Sequence, residues 1–392
     1  MTASPSVVVV GAGPTGLTAV ALLARRGVAC VLLERQVSPY PLPRAVHLDD
    51  EGLRVLQQVG VAERFAALTR PVPGMRLLDA RHRTLAEFRR GRAVGDHGWP
   101  QANLFDQPDL ERLLREAVAA EPLVEVRVGT ELVGLDQDGE GVQATVRDVG
   151  SGAVSRLRCD ALLGCDGTAS TVRELIGAGQ RDLGFRERWL VVDGRCDRQL
   201  PVWAGVHQVC DPERAATFMQ VGPERYRWEF RLHDGERGAA LLADGRLLAP
   251  WLGEVPRAAV ELVRQAEYEF AASVADRWRD RRVFLLGDAA HQTPPFIGQG
   301  LGSGLRDALN LSWKLALVLR GEAGESLLGT YQSEREPHIR RLIRLAIVVG
   351  WAMTGGQDVA ARARRAVLAA ACRVPGFTTR ALDQVTPPLG AG

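Results

Sequence analysis

The sequence predicts an α/β fold: a parallel sheet flanked by helices, carrying an inserted antiparallel sheet and ending in further helices. Three stretches predict it. Val7 to Val10 is a β-branched run suited to a strand buried on both faces, followed at once by Gly11-Ala12-Gly13-Pro14-Thr15-Gly16. Ala161-Leu162-Leu163-Gly164-Cys165 is a second short apolar run, closed by Asp166-Gly167. Val283 to Leu286 is a third. It breaks at Gly287-Asp288-Ala289-Ala290-His291, then passes through Pro294-Pro295 and Gly298, Gly300, Gly302 and Gly304 into an amphipathic helix. All three runs have strand length and end in turn residues.

The first unit is the most explicit. Gly11, Gly13 and Gly16 give G-x-G-x-x-G, with Pro14 and Thr15 inside the turn. A helix follows to about Arg26, with Leu17, Val20, Ala21 and Ala24 on one face and Gly27 as its C-terminal stop. Val28 to Leu33 is the next strand, and Glu34 ends it beside Arg35. Strand, glycine turn, helix, strand and terminal acid form the Rossmann-like dinucleotide fingerprint. The glycines let the backbone approach a pyrophosphate, and Glu34 would receive ribose hydroxyls. At the third stretch, Asp288 would hold a ribose or ribityl hydroxyl, and the glycines would bring backbone N–H groups to an anionic ring or phosphate.

Between these anchors the residues leave alternatives open. Arg44 follows the Pro-rich turn Pro41-Leu42-Pro43 and reads either as a cation beside a cofactor or as a surface arginine; His47 reads as a pocket residue or a cap. A helix follows through Leu53, Leu56 and Val59. Pro71 to Trp99 predicts two or three antiparallel strands. Asp106-Gln107-Pro108-Asp109 opens a helix, where Gln107 bonds a ligand or caps the helix. Val124, Val126 and Val128, with Val142, Ala144 and Val146, predict a small β-meander. Asp166, followed by Gly167, is either a ribose or pyrophosphate contact or a turn aspartate. Arg225 to Leu232 alternates, with Tyr226, Trp228, Phe230 and Leu232 on a face that is core or pocket wall, and Arg225, Arg227, Glu229 and Arg231 on a solvated one. Glu261 to Asp276 is expected to be helical. Helices are also expected after Gly304, from Tyr331 to about Met353 with Arg335, Arg340, Arg341 and Arg344 on the polar side, and around Val359 to Ala371.

Composition excludes several classes. The chain has 392 residues with 46% hydrophobic content, enough for two or three domains. Its 49 basic and 47 acidic residues balance and no long basic run occurs, which argues against nucleic acid. The six cysteines show no C-x-x-C spacing, so no metal site is expected and a reducing cytoplasm fits. No run has the length of a membrane span, and no signal peptide is read at the N-terminus.

Taken together, G-x-G-x-x-G with Glu34, Gly164-Cys165-Asp166-Gly167, and Gly287 to His291 with Pro294-Pro295 resemble the class A, single-component flavoprotein aromatic hydroxylases, the p-hydroxybenzoate hydroxylase family. Pro41 to Asp50, Phe105 to Arg112, Arg188 to Asp193 and Gln292 to Gly300 are similar in wording to 3-(3-hydroxyphenyl)propionate hydroxylases and polyketide-tailoring hydroxylases. The resemblance covers about residues 5–350. It implies a GR2-type FAD-binding domain at 1–70, 101–183 and 281–320, a substrate-binding β-sheet domain at 71–100 and 184–280, and a C-terminal helical segment at 321–392. It implies FAD as cofactor, NADH or NADPH and O2 as co-substrates, and hydroxylation of a phenolic or polyketide-type ring through a flavin C4a-hydroperoxide.

By the same resemblance Arg44 lies beside FAD, Gln107 and Asp288 meet the ribityl chain, and Asp166-Gly167 touches FAD and the nicotinamide cofactor. Gly287, Gly298 and Gly300 belong to the same cofactor segment. Leu301 and Gly302 offer backbone to the flavin pyrimidine edge, and Pro295 lies beside the flavin near the substrate. Pro295, Arg44 and His47 are the candidates for the reacting centre; His291 is read as a packing residue. Two features depart from the family. The chain has room after the core only for helices, where many relatives carry a thioredoxin-like domain, and the tyrosine network of p-hydroxybenzoate hydroxylase has no counterpart. A Baeyer–Villiger or epoxidising oxygenase, a flavin dehydrogenase and a non-catalytic FAD carrier are the alternatives; a halogenase should show a G-W-x-W-x-I-P stretch, which this sequence lacks. The expected protein is a cytoplasmic monomer or homodimer.

Overall fold

The computed structural model describes residues 6–38, 45–211, 213–243 and 245–354, with side chains to 351. The expected helix around Val359 to Ala371 and Arg44 lie outside the described residues. The three apolar runs become neighbouring strands. Val7–Val10 sits between Cys30–Glu34 and Ala161–Gly164, with Val124–Val128 beyond the first and Val283–Leu285 beyond the second, all parallel. Val7, Val8 and Val9 are fully buried, in one core with Leu17, Val20 and Leu23 of the first helix and with Leu132, Val142, Ala144 and Val146 of a small antiparallel sheet. Asp280 and Arg279 add a short antiparallel edge.

Val124–Val128 was expected in the meander and instead forms the outer parallel strand. The meander is Thr130–Gln137, Val142–Asp148 and Val154–Cys159. Alternation does not say which sheet supplies the partner, and here it does not mark a buried face either, since Val126 and Val128 are exposed at the sheet edge.

A second, eight-stranded sheet runs in the order His291–Gln292, Glu261–Ala275, Gln180–Arg195, Arg225–Leu232, Ala216–Gln220, Val206–Val209, Gly74–Leu78 and Thr84–Arg89. Glu261–Ala275 is thus a strand, not the expected helix. Its Glu, Leu, Arg, Gln and Ala content favours a helix, yet Leu262, Arg264, Ala266, Tyr268 and Phe270 alternate with exposed Glu261, Val263, Gln265, Glu267 and Glu269. Pairing along Gln180–Arg195 satisfies its backbone and overrides local propensity.

The face of Arg225–Leu232 that was expected in solvent is also enclosed: Arg227 is 1% and Glu229 8% exposed. Tyr226, Trp228 and Phe230 pack into a core with Phe218 and Trp251 on the other side. His291–Gln292 pairs with Ser273 and Val274, so the turn leaving the parallel sheet also borders the antiparallel one. The helix Gly300–Leu319 packs on Pro14–Ala24, and Ser326–Thr354 packs on Gly300–Leu319.

Candidate active site

Where the two large sheets meet, a cavity of about 1040 Å³ runs from Gly11–Thr15 and Glu34–Ser38, past Gln107 and Cys165–Ala169, to Gln292, Thr293 and Pro295–Leu301. It continues onto the face of the eight-stranded sheet at Trp189, Gln208, Thr217, Glu229 and Tyr268. The nucleotide end is shaped by missing side chains. Gly11 has φ +102°, and a Cβ there would lie 2.5 Å from the Cys165 carbonyl oxygen; a Cβ on Gly16 would lie 2.0 Å from the Gly11 oxygen. Gly13 is the N-cap of the first helix and Gln299 that of Gly300–Leu319, and neither helix has a side-chain cap. Two helix N-termini therefore border one cavity, where their dipoles favour negative charge.

Glu34 ties the turn down: its Oε2 accepts from the Ala12 N–H at 2.8 Å and its Oε1 from the Gln36 N–H at 2.8 Å. A carboxylate has lone pairs left for ligand hydroxyls. Asp166 accepts from the Ser170 hydroxyl at 2.5 Å and the Val172 N–H at 3.0 Å, so it organises the start of the helix Thr171–Leu175 as well as lining the cavity. Burial pushes its carboxyl above the usual range. Gln107 is not the helix cap: its Oε1 accepts from the Ala45 N–H at 2.8 Å, and its Nε2 donates to Glu111 at 2.7 Å. His47 Nδ1 lies 3.1 Å from the Gly298 carbonyl, which can only accept, so the proton is on Nδ1. Burial pulls the His47 pKa down and favours the neutral ring.

Pro14, Thr15, Arg35, Gly167, Asp288, Pro295, Gly298, Gly300 and Leu301 also line the cavity. Gly16, Gly287 and Gly302 stand behind its wall. Gly16 is fixed by the approach to Gly11, and Gly302 faces the Arg306 guanidinium. The Gly287 N–H donates to Asp307 Oδ2 at 3.0 Å.

That last contact belongs to a buried charge network absent from the sequence-based site. Asp307 is fully buried, with its carboxylate 2.6 Å from His291 Nε2 and 2.8 Å from Arg335 Nε. Burial pushes the Asp307 carboxyl up, and His291 and Arg335 outweigh this and hold it below its ordinary value. Arg335 is thus an internal counter-ion, not part of the expected polar face. Alongside, Arg306 pairs with Asp49 at 2.6 Å and Glu51 at 2.5 Å. Burial opposes ionisation of Asp49, but Arg306 brings its carboxyl down to about 2. The available signal was Arg306-Asp307 lying between the core residues Leu305 and Ala308 in a glycine-started helix.

The other end of the cavity is largely apolar. Phe296 meets Phe185 and Trp189 edge-on at 5.6 and 5.9 Å, with Met75, Val206 and Met219 nearby on the wall.

The FAD binding domain model matches residues 4–346. The chain belongs to the FAD-binding class A flavoprotein monooxygenases. This flavoprotein is 38% identical over 93% of its length to a probable NADH-specific resorcinol 4-hydroxylase of Rhodococcus jostii strain RHA1, spanning 68% of that protein. It is 37% identical over 98% of its length to a 3-(3-hydroxy-phenyl)propionate/3-hydroxycinnamic acid hydroxylase of Burkholderia vietnamiensis, spanning 70% of it. Among solved structures, p-nitrophenol 4-monooxygenase PnpA from Pseudomonas putida DLL-E4 superposes with a TM-score of 0.87 at 25% identity, covering 97% of this chain and 96% of that one. Aklavinone-11 hydroxylase in complex with FAD and aklavinone gives a TM-score of 0.79 at 29% identity, covering 90% and 69%. The flavoprotein is an FAD-dependent aromatic hydroxylase that takes its electrons from NAD(P)H. Its cavity fits FAD on chemical grounds: a glycine cradle that a Cβ would fill, two helix N-termini, and a buried Thr293 hydroxyl on the wall with no hydrogen-bond partner among the described residues.

Proposed function

We propose that this flavoprotein uses NADH to hydroxylate a phenolic ring. The observation that carries the reading is the continuity of the cavity: a dinucleotide cradle at one end opens, without a wall between, into an aromatic-lined compartment with few polar groups. The NADH and phenol assignments draw on the hydroxylases to which the chain is similar. Bound FAD, reduced by the nicotinamide co-substrate, supplies activated oxygen for transfer to the ring.

The protein's part is positioning and shielding. The Gly11-to-Gly16 turn would hold the pyrophosphate, with Glu34 and Arg35 at the adenosine half. Gln107, Asp166, Gly167 and Asp288 would hold the ribityl and ribose region, with Gly287 fixing the turn from behind the wall, and Arg44 is assigned beside them from the sequence. Leu301 and Gly302, at the N-terminus of a 20-residue helix, would place backbone N–H groups against the pyrimidine edge and hold negative charge there. Pro295 and Gly298, with Gly300, would shape the flavin contact, and His47 would fix Gly298. Trp189, Phe185 and Phe296 would exclude water from the reacting ring.

We assign the FAD-binding role to 1–70, 101–183 and 281–320 and the substrate role to 71–100 and 184–280, and infer a cytoplasmic monomer or homodimer. No described helix is long and apolar enough to cross a membrane. The test is an absorbance spectrum of the purified protein reconstituted with FAD, followed by NADH and NADPH oxidation with and without resorcinol and 3-(3-hydroxyphenyl)propionate. Substrate-stimulated NADH oxidation with a product one oxygen atom heavier is expected. Failure to retain FAD would overturn the reading.

A further inference from the structure

The strand Arg225–Leu232 turns one face to an aromatic core and the other to the cavity, and Glu229 lies on the cavity side. Its cross-strand partners are Val191 on one neighbour and Thr217 on the other, and Thr217 in turn faces Gln208. Gln208, Thr217 and Glu229 therefore make a polar row across this wall. Two of the three satisfy each other: the Thr217 hydroxyl donates to Gln208 Oε1 at 2.9 Å. Glu229 is different. It is 8% exposed, and among the described residues its carboxylate accepts no hydrogen bond. Arg227 approaches it only to 3.8 Å, beyond hydrogen-bond distance, while Arg227 Nε and Nη2 donate to Asp193 at 2.7 and 3.0 Å.

A buried carboxylate without hydrogen bonds is costly, and its place on a cavity wall points to a ligand that supplies them. The geometry points to Glu229 as the residue that receives a ring hydroxyl of the aromatic substrate and takes its proton as the ring is oxygenated. This rests on the phenolic reading above. The O–H bond breaks, the proton moves to a Glu229 carboxylate oxygen, and the electron pair left behind moves into the ring. It enriches the ortho and para carbons, at one of which the oxygen atom from O2 is transferred. The new C–O bond forms as the O–O bond breaks, the second oxygen atom leaves as water, and NADH supplies the two electrons through FAD. The attacked ring carbon then gives up its hydrogen as a proton, and the proton held by Glu229 returns to the ring oxygen, which restores the hydroxyl. Burial raises the Glu229 carboxyl above its ordinary value, with Arg227 opposing, which makes it a stronger proton acceptor than a surface glutamate. The other charged or titratable groups on this face are Arg227 and Arg231 on its own strand, Asp193 and Glu187 on the neighbouring strand, where Glu187 pairs with Arg231 at 3.9 Å, and Arg264 and Tyr268 one strand further. His47 and Arg90 come from elsewhere on the cavity wall.

The experiment uses FAD-loaded wild type, Glu229→Gln and Glu229→Leu. Resorcinol and 3-(3-hydroxyphenyl)propionate are titrated against their fully O-methylated ethers, with binding read from the flavin absorbance and turnover from product formation. Wild type should bind each hydroxyl compound at least about tenfold tighter than its ether. Glu229→Leu should abolish that preference. Glu229→Gln, which keeps the shape, should lower kcat/KM by about 100-fold. Because Glu229 must be ionised to take the proton, wild-type kcat/KM should fall as pH drops through its raised pKa, and this acid limb should vanish in Glu229→Gln. An unchanged limb in that variant would assign it to another group such as His47 and overturn the proposal. Equal binding of hydroxyl and ether forms by wild type would also overturn it, whether or not the variants fold. FAD-loaded enzyme that binds none of the phenols sinks the hydroxyl site, whereas failure to hold FAD sinks the broader function instead.

Discussion

At the nucleotide end of the cavity the wall is largely backbone, and at the aromatic end it is side chain. Gly11, Gly13 and Gly16 shape the first by what they lack, within six consecutive residues of one turn. The second is assembled by register: Gln208, Thr217 and Glu229 come from three strands and meet because each is the cross-strand partner of the next. The helix Gly300–Leu319 starts at the cavity wall, and its buried Asp307 holds both the Gly287 N–H of the turn and His291, which borders the eight-stranded sheet. The difference teaches that a ligand held by a turn leaves a spacing in the sequence, and a ligand held by a sheet face leaves almost none.

The largest expected effect breaks the element both ends share. Asp307→Ala would leave Arg335 and His291 buried without their common carboxylate and remove the acceptor for the Gly287 N–H. Removing one partner of such a buried pair costs about 3–5 kcal/mol. Urea unfolding of the FAD-loaded protein should show a loss of that size, with FAD retention falling too because the Gly287-Asp288 turn loses its anchor. A loss below about 1 kcal/mol would place the pair among ordinary surface contacts and remove it from this account.

These contrasts account for what was legible. The parallel sheet, the glycine turn with Glu34, and the Gly287-Asp288 segment could be read because each is fixed by neighbours in sequence. The strand Glu261–Ala275 was misread because its residues favour a helix and only pairing with Gln180–Arg195 decides otherwise. Arg335 was misread for a related reason: it looks like one more basic residue on a helical polar face until Asp307, from the preceding helix, is set against it. Asp166 and Gln107 were located without their partners. The helix-start contacts of the first and the Ala45 and Glu111 bonds of the second depend on local geometry that residue spacing does not carry. The polar row with Glu229 needs two registers to be known at once.

A smaller change sharpens the comparison at the nucleotide end alone. Gly16→Val puts a branched side chain where even a Cβ would lie 2.0 Å from the Gly11 oxygen, so the first helix must move off the turn. Overpacking of this kind costs about 1–3 kcal/mol, or up to about a hundredfold in FAD affinity if the whole cost falls on the bound state. Titration of apo-protein with FAD measures it. Wild-type affinity in this variant would mean that the backbone cradle is not what holds the cofactor.

The smallest expected effect tests which face of the strand Arg225–Leu232 meets substrate. Tyr226 is fully buried in the aromatic core, stacked on Phe218, and its hydroxyl accepts from the Leu200 N–H at a long 3.4 Å. Tyr226→Phe keeps the ring and removes only that weak bond, so stability should fall by about 1 kcal/mol or less. Because its side chain points away from the cavity, the affinity for resorcinol should not change, whereas a change three positions along, at Glu229, should alter how the ring is handled. Thermal melts and flavin-absorbance titrations on the same preparation give both numbers. If Tyr226→Phe shifts substrate affinity as much as Glu229→Gln shifts kcat/KM, the division of this strand into a core face and a substrate face is wrong, and the aromatic residues rather than the carboxylate would be the ones in contact with the ring.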